Sequence, residues 1–461
     1  MERALTKDLH EHVGEEVTIS GWVDVRRDHG KLVFIVIRDR SGDVQSVVLP
    51  QHAEALAVAQ TLRPEWVVTV AGTVNQRPKK MVNTDEQNGD IELEAVSISV
   101  LSPAQELPFA QDAELNLDTL LDYRPLTLRR KRERAIFAVQ AGLVHAYRDS
   151  LIRQGFTEFQ APALVGSDAE GGAEVFRVEY FNDHKANLAT SPQFYKQIMT
   201  GVYERVFTIA RFFRAEKSAT TRHISELTQM DFEMAFIKDE RDVLEVLETV
   251  VRDIAAGMKE KYAPYFATLG ANLPLLPEGP FPILTLRETQ KILDVPEEPD
   301  MEPAHERAIC EWAKKEHGSD FVFITRFPTA KRAFYTYEDP EEAPYSRGFD
   351  LLFRGLEILS GAQRIHNYDD LVAKIESRGM DPKNFSFYLQ TFKYGMPPHG
   401  GCSIGLERLT KQMLGLENVK EATPFPRDIN RIDTLLSLKV ADNVTVTDVP
   451  SISINHENND N

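Results

Sequence analysis

The chain has 461 residues, 42% of them hydrophobic, which is enough apolar material for two or three domains with a sizeable core. Charged residues make up 27%, excluding wholesale disorder, and 53 basic against 71 acidic residues give a net charge of −18, excluding a broadly basic DNA coater though not a local basic face. Two cysteines, Cys310 and Cys402, exclude a disulfide framework and a cysteine-rich zinc site; with no long apolar run and no hydrophobic signal core in "MERALTKDLHEHVGEE", a soluble cytoplasmic protein is expected.

The first hundred residues read as strands. "EEVTISGWVDVRR" alternates, and "KLVFIVIRDRSGDVQSVVL" gives two β-rich runs around a turn at Ser41 to Asp43. "EWVVTVAGTVNQ" and "IELEAVSISVLS" are two more, with the helical composition of "HAEALAVAQTL" between them. Five strands and one helix in this length predict a small Greek-key barrel, of which the OB-fold is the common example; composition alone leaves another small barrel open.

Residues 1–105 are taken as this barrel and residues 106–135 as a hinge, opened by Pro103 and Pro108 and ending in the basic run Arg124, Arg129, Arg130, Lys131, Arg132 and Arg134. "AIFAVQAGLVHAYRDSLIRQGF" has the 3.6-residue period of an amphipathic helix of about six turns. Over 136–434 strands and helices mix without regular βαβ spacing, so an antiparallel sheet flanked by helices is predicted, and the whole chain is α+β. Residues 435–461 are polar and read as a mobile tail.

The densest chemistry lies in "RFFRAEKSATTRHISELTQMDFEMAF", residues 211–236, with Arg214, Glu216, Arg222, His223, Glu226, Asp231 and Glu233. Two strands joined by a loop with Arg and His at its tip would clamp a polyphosphate, because the planar guanidinium grips phosphate oxygens bidentately. A charged surface hairpin is the default for such a cluster taken alone. Two later segments shift the weight. "GLEILSGAQRIH" sets Glu357, Ser360 and Arg364 along a strand, and "PPHGGCSIGLERL" sets Gly400, Gly401 and Gly405 before Glu407 and Arg408 at a helix start. Glycines there admit a ligand close to the backbone.

These segments, in this order, resemble the class II aminoacyl-tRNA synthetases and, within them, the aspartyl type of archaea and eukaryotes; the resemblance covers about residues 10–433. Pro162 in "GFTEFQAPAL" resembles the first class II motif, which builds the dimer interface. "FRAEKSATTRH" with "TQMDFEM" resembles the second motif, and "GGCSIGLERLTKQMLGLENVKEATPFPRD" the third. "EGGAEVF", "SPQFYKQ" and "SGAQRIH" carry the aspartyl signature, where asparaginyl relatives differ.

The resemblance implies an enzyme that activates L-aspartate with ATP and Mg²⁺ and transfers it to the 3′ end of tRNA(Asp), acting as a homodimer. Lys196 and Arg364 would hold the aspartate side-chain carboxylate, an arrangement that a neutral asparagine amide would compensate badly. Glu170, Gln193 and Asp231 would surround the ammonium, with Ser360 also in the amino-acid site. Arg214 would bridge the α-phosphate and the amino-acid carboxylate, Glu216 would lie near adenine, and Arg222 and His223 would reach the outer phosphates. Ile224 and Gly405 complete the ATP site, Arg408 would stack on adenine, and Glu357 with Ser360 would ligate Mg²⁺. Three features depart from the family pattern: Leu227 stands where many relatives have an aromatic under adenine, Cys402 stands where the archaeal type has an aromatic, and a tail follows residue 434. Cys402 is taken as a packing residue, since nothing basic is set to activate it.

The barrel resembles the family's anticodon-binding domain. Its first hundred residues are net acidic, yet Arg26, Arg27, Lys31, Arg38 and Arg40 bunch together, as do Arg77, Lys79 and Lys80. OB-folds hold single strands with an aromatic platform and a basic groove. Phe34 matches the family's stacking phenylalanine, Gln45 its anticodon-reading glutamine, and Glu92 is a third candidate; a core position is the other reading of Phe34. Asp24 and Met81 align with a tryptophan and a lysine associated with rejecting tRNA(Asn), so charging of both tRNA(Asp) and tRNA(Asn) is expected. The alternatives weighed are an asparagine–tRNA ligase, an aspartate-adenylating amide synthetase, and a tRNA-binding paralogue without activity.

Overall fold

A computed structural model describes residues 3–84, 86–166, 174–217 and 220–433. Glu170 and the segment 435–461, expected as a tail, lie outside the described residues. The chain divides into two compact units, Met1–Glu114 and Leu115–Asn461.

In the first unit, strands Glu16–Asp28, Val33–Arg38, Asp43–Val48, Ile91–Ser102 and Val67–Gln76 pair in that order, and the last pairs back onto the first to close a barrel. Closure leaves none of these five strands as an open edge. A two-residue strand, Arg3–Ala4, adds to the outside. Alternation does the sorting: Val33, Ile35 and Ile37 enter the core with Ile19, Val23, Val70 and Leu93, while Phe34 and Val36 point the other way. The helix Ala53–Thr61 packs Ala55 and Ala59 onto that core. This is the expected five-stranded OB-fold barrel.

The second unit is built on an eight-stranded sheet. Its strands run Ile283–Thr285, Phe321–Thr325, Gly348–Phe353, Leu356–Arg364, His399–Gly405, Glu226–Ala235, Arg205–Phe213 and Thr157–Glu158. The six central strands pair antiparallel, as predicted, but each edge strand pairs parallel to its neighbour. One face is covered by helices Lys131–Arg153 and Glu240–Gly257, which bury Leu143, Tyr147, Leu247 and Val250 against Met230, Phe232 and Ile404. The 23-residue first helix matches the six turns read from its periodicity. A small sheet of Leu164–Val165, Lys185–Leu188 and Arg177–Glu179 was not foreseen, its strands being too short to show a period.

From residue 115 onward the stretch expected as a hinge belongs to the second unit. Helix Leu117–Asp122 is capped by the Asn116 side chain, and Arg124 is buried, donating to the carbonyls of Glu421, Thr423 and Pro424. Its guanidinium serves as a clasp for the C-terminal segment of the same unit.

Candidate active site and barrel face

The opposite face of the large sheet carries the site. Strand Glu226–Ala235 alternates: Met230, Phe232 and Met234 enter the core, and Gln229, Asp231 and Glu233 face the other way. Register then lines up neighbours. Asp231 stands opposite Ser403, Ser403 opposite Ser360, and Ser360 opposite Asp350, one residue from each of four adjacent strands. Helix Gln193–Tyr203 lays Gln193, Lys196, Gln197 and Thr200 along one buried face, the i, i+3, i+4, i+7 pattern.

Two cations and two carboxylates interlock there. Lys196 Nζ is 2.8 Å from Asp231 and 3.3 Å from Glu233, and Arg364 Nε is 2.9 Å from Glu233. Their side chains are at most 5% exposed. Burial works to raise the Glu233 carboxyl, but Arg364 and Lys196 prevail and hold it below its ordinary value. Burial keeps Asp231 above its ordinary value despite Lys196 and a hydrogen bond from Ser403. Arg364 also donates to the Gly401 carbonyl at 2.9 Å. A Cβ on Gly401 would sit 2.3 Å from the Glu233 carboxylate, so glycine is needed for the pair to cross that strand.

Around this quartet opens a cavity of about 520 Å³. All the described residues expected in the ATP and amino-acid sites line it: Gln193, Lys196, Arg214, Glu216, Arg222, His223, Ile224, Asp231, Glu357, Ser360, Arg364, Gly405 and Arg408. Among the described residues the buried Nε of Arg214 has no hydrogen-bond partner, a donor left for a ligand. The loop bearing it is tied down at both ends: Arg214 N donates to Ser225 O, and Ser225 N to Arg427 O. Arg222 pairs with Glu306 at 3.2 Å, and Arg408 lies 3.6 Å from the Glu357 carboxylate. Burial, reinforced by Arg408, lowers the pKa of His223, which favours the neutral ring. Burial in the cleft and then Asp350 push the Glu357 carboxyl up to about 7 against Arg408 and Arg332, although 38% of its side chain still meets the open cavity. Leu227 lines the cavity beside Gln229. Cys402 is fully buried in the sheet, and burial pushes its thiol well up, in keeping with a packing role.

Sequence reading passed over several residues of this site. Arg332 holds Asp350 through two hydrogen bonds of 3.0 and 2.7 Å, donates to Ser360 Oγ at 3.0 Å, and stacks on Phe327 at 3.8 Å. Glu233 was seen in the charged cluster but given no role; its alternation with Asp231 was the available signal. Glu407 accepts from Thr228 N at 3.0 Å through both oxygens, tying the third-motif helix to the second-motif strand.

On the barrel, Phe34 is half-buried, outside the core cluster and edge-on to His29 at 5.6 Å. Gln45 donates to Glu92 at 3.3 Å, and Arg77 lies 3.9 Å from Glu92. The pairings Phe34 to Val47 and Val36 to Gln45 put Phe34 and Gln45 on one outer face of adjacent strands. Arg38 does not belong to an open basic groove: it is buried, 2.9 Å from Glu65 and 3.3 Å from Asp24.

Comparison with known proteins agrees with this geometry. Residues 116–429 match the family of tRNA synthetases class II (D, K and N), and residues 17–101 match an OB-fold nucleic acid binding domain. An aspartate–tRNA(Asp/Asn) ligase of Thermus thermophilus is 44% identical over 93% of this chain and 99% of its own. A second aspartate–tRNA(Asp/Asn) ligase, of Deinococcus radiodurans, is 40% identical over 94% of this chain and 99% of its own. Among solved structures, asparaginyl-tRNA synthetase of Pyrococcus horikoshii with asparaginyl-adenylate superposes with a TM-score of 0.86 at 32% identity, covering 94% of this chain and 99% of that one. The chain thus belongs to the class II aminoacyl-tRNA synthetases, the ATP-using ligases of the aspartyl, lysyl and asparaginyl group, and carries an OB-fold nucleic-acid-binding domain ahead of its catalytic unit.

Proposed function

We propose that the protein is an aspartate–tRNA ligase that charges tRNA(Asp) and also tRNA(Asn). The observation that carries this is the buried quartet of Lys196, Arg364, Asp231 and Glu233, of which Lys196, Arg364 and Asp231 line the cavity and Glu233 ties the two cations together behind them. Aspartate brings one ammonium and two carboxylates. Glu233 fixes both cations in advance, so a side-chain carboxylate meets oriented donors without reorganisation. Asp231 and the Gln193 oxygen suit the ammonium, and Glu170 is proposed beside them.

The chemistry needs no general base, because the α-carboxylate is already ionised. One carboxylate oxygen attacks the α-phosphorus in line, the bond to the β-phosphate oxygen breaks, and diphosphate leaves with the electron pair. Arg214 holds the attacking carboxylate and the α-phosphate together and offsets charge on the phosphorus oxygens. Arg222 and His223 take the outer phosphates, Glu216, Ile224 and Gly405 border the nucleotide, and Arg408 covers adenine. The ribose hydroxyl of the terminal tRNA nucleotide then attacks the aspartyl carbonyl and AMP leaves.

Mg²⁺ suits the hard oxygens of Glu357 and Ser360. Among the described residues no group of three or more His, Cys, Asp or Glu could hold a metal, so the ion would complete its shell with phosphate oxygens and water. It would supply charge neutralisation on the phosphates. Glu357→Gln is expected to raise the Mg²⁺ concentration needed for half-maximal ATP–diphosphate exchange; an unchanged titration removes Glu357 from the metal site.

A homodimer built on the segment around Pro162 is proposed as well, supported by the exposed apolar Leu164 beside it, and sedimentation tests it. Cytoplasmic location is proposed on the strength of the substrate; no helix among the described residues is long and apolar enough to cross a membrane. The decisive assay charges purified tRNA(Asp) and tRNA(Asn) with aspartate and with asparagine. Aspartate on both tRNAs is the expected result, and asparagine as the preferred amino acid overturns the proposal.

A further inference from the structure

Behind the charged quartet runs a chain of neutral hydrogen bonds. His399 is fully buried on strand His399–Gly405. Its Nδ1 lies 2.9 Å from the Pro397 carbonyl, and a carbonyl oxygen only accepts, so Nδ1 carries the proton. Burial lowers the His399 pKa to about 4, against Glu233 and with Arg364, and the ring is neutral at pH 7. That leaves only a lone pair on Nε2, 2.7 Å from the Gln197 amide nitrogen. Gln197 must donate there. Its carbonyl oxygen is thereby turned the other way, where it accepts from Tyr388 Oη and from Gln193 Nε2, each at 2.9 Å. The Gln193 NH₂ is committed to that bond. Its carbonyl oxygen takes no hydrogen bond among the described residues, and the residue lines the cavity.

We propose that His399 is a positioning residue for amino-acid selection: acting through Gln197, it fixes the amide of Gln193 so that an acceptor faces the substrate ammonium. The proposal rests on the reading that Gln193 lies at the ammonium. An amide's two ends are nearly equal in shape and opposite in hydrogen-bonding sense. Unconstrained, Gln193 would turn its NH₂ toward the ammonium for part of the time, a donor against a donor. The tautomer of one buried ring removes that state.

The test compares His399→Leu and His399→Gln in ATP–diphosphate exchange, measuring KM for aspartate, KM for ATP, and Ki for succinate, which is aspartate without its amine. His399→Leu is expected to raise the aspartate KM about ten-fold, the scale of one hydrogen bond to a charged group, with the ATP KM and succinate Ki within about two-fold of wild type. His399→Gln, whose carbonyl can take the bond from Gln197, should restore the aspartate KM. Aspartate KM and succinate Ki rising together would mean general damage to the pocket and overturn the proposal, as would an unchanged aspartate KM. Gln193→Ala separates the two readings. If it too leaves the ratio of aspartate KM to succinate Ki unchanged, Gln193 is not at the ammonium and the proposal falls with that reading. If it moves the ratio while His399→Leu does not, the relay alone fails. Should His399→Leu not fold, ¹⁵N-histidine NMR of the wild-type protein decides: the Nδ1-protonated tautomer supports the relay, and the Nε2-protonated one overturns it.

Discussion

The catalytic cavity and the barrel face solve recognition in opposite ways. In the cavity, the charges that would read aspartate are buried and interlocked, with Lys196 and Glu233 at 1% and 0% exposure. On the barrel, Phe34 and Gln45 are half-buried, and the Glu92 side chain is 24% exposed. Buried ions have lost their water, so each depends on its partner, and removing one leaves the other stranded. Half-exposed groups keep water as a fallback, so their loss costs only what the ligand contact was worth. Mutations in the cavity should therefore act almost all-or-none, and mutations on the barrel face should be graded.

Arg364→Ala is the strongest test of that contrast. It leaves the buried Glu233 with Lys196 at 3.3 Å as its remaining cation, and breaking a buried pair costs roughly 3–5 kcal/mol. Aspartate-dependent ATP–diphosphate exchange should vanish. Exchange within a few-fold of wild type would show that the quartet does not read the substrate and would erase the difference between the two regions.

Glu407 sharpens the contrast from within the cavity, because it is buried with no ion-pair partner among the described residues. Burial pushes its carboxyl up to about 7, against the hydrogen bond from Thr228 N. The folded state therefore holds a proton that the unfolded state releases near its ordinary value of 4.5. Stability from this group is full below that value and is lost as pH rises toward 7, by ~3 kcal/mol at most. Glu407→Gln keeps an acceptor for Thr228 N and cannot ionise. Its melting temperature should gain on wild type between pH 5 and pH 8. A constant difference across that range would mean that Glu407 titrates as an ordinary carboxyl.

Much of this was legible in the sequence, and the gaps have physical causes. The barrel followed from alternation around short turns. The cavity residues followed from three segments whose spacing and order resemble one family. What did not follow were contacts set by register or by long-range packing. Gln197 meets His399, and Arg332 meets Asp350, across sequence separations of 202 and 18. Arg124 looked like a linker charge because nothing local reveals the carbonyls of Glu421 to Pro424 that it clasps. Glu233 was within reach: polar residues alternating with Met230, Phe232 and Met234 can only face a polar cavity or solvent, and the next strand offers Gly401 to make room.

On the barrel, Phe34→Ala should give the graded response. Phe34 is outside the core, so its loss leaves the fold intact. Base–aromatic stacking is worth ~1–3 kcal/mol. Charging of tRNA should fall accordingly, in KM for tRNA, while exchange without tRNA stays at wild-type level. Loss of both activities would make Phe34 structural and break the contrast on its other side.

The smallest effect concerns which tRNA is accepted. Rejecting a tRNA that differs at one anticodon base requires a group that pairs with the right base or clashes with the wrong one. Asp24 offers neither bulk nor a donor, and its carboxylate is already engaged 3.3 Å from the buried Arg38. Met81 is 63% exposed and has no hydrogen to donate. Arg77 is drawn to Glu92, 3.9 Å away. Discrimination should therefore stay within the ~1–3 kcal/mol of a single base contact, under about two decades in kcat/KM in favour of tRNA(Asp). Introducing bulk with Asp24→Trp should widen that gap chiefly by weakening tRNA(Asn), with aspartate activation untouched. If wild-type enzyme already refuses tRNA(Asn) at saturating concentration, the barrel reads its anticodon as strictly as the cavity reads aspartate, and half-buried groups such as Gln45 and Glu92 supply more selectivity than their solvent access predicts.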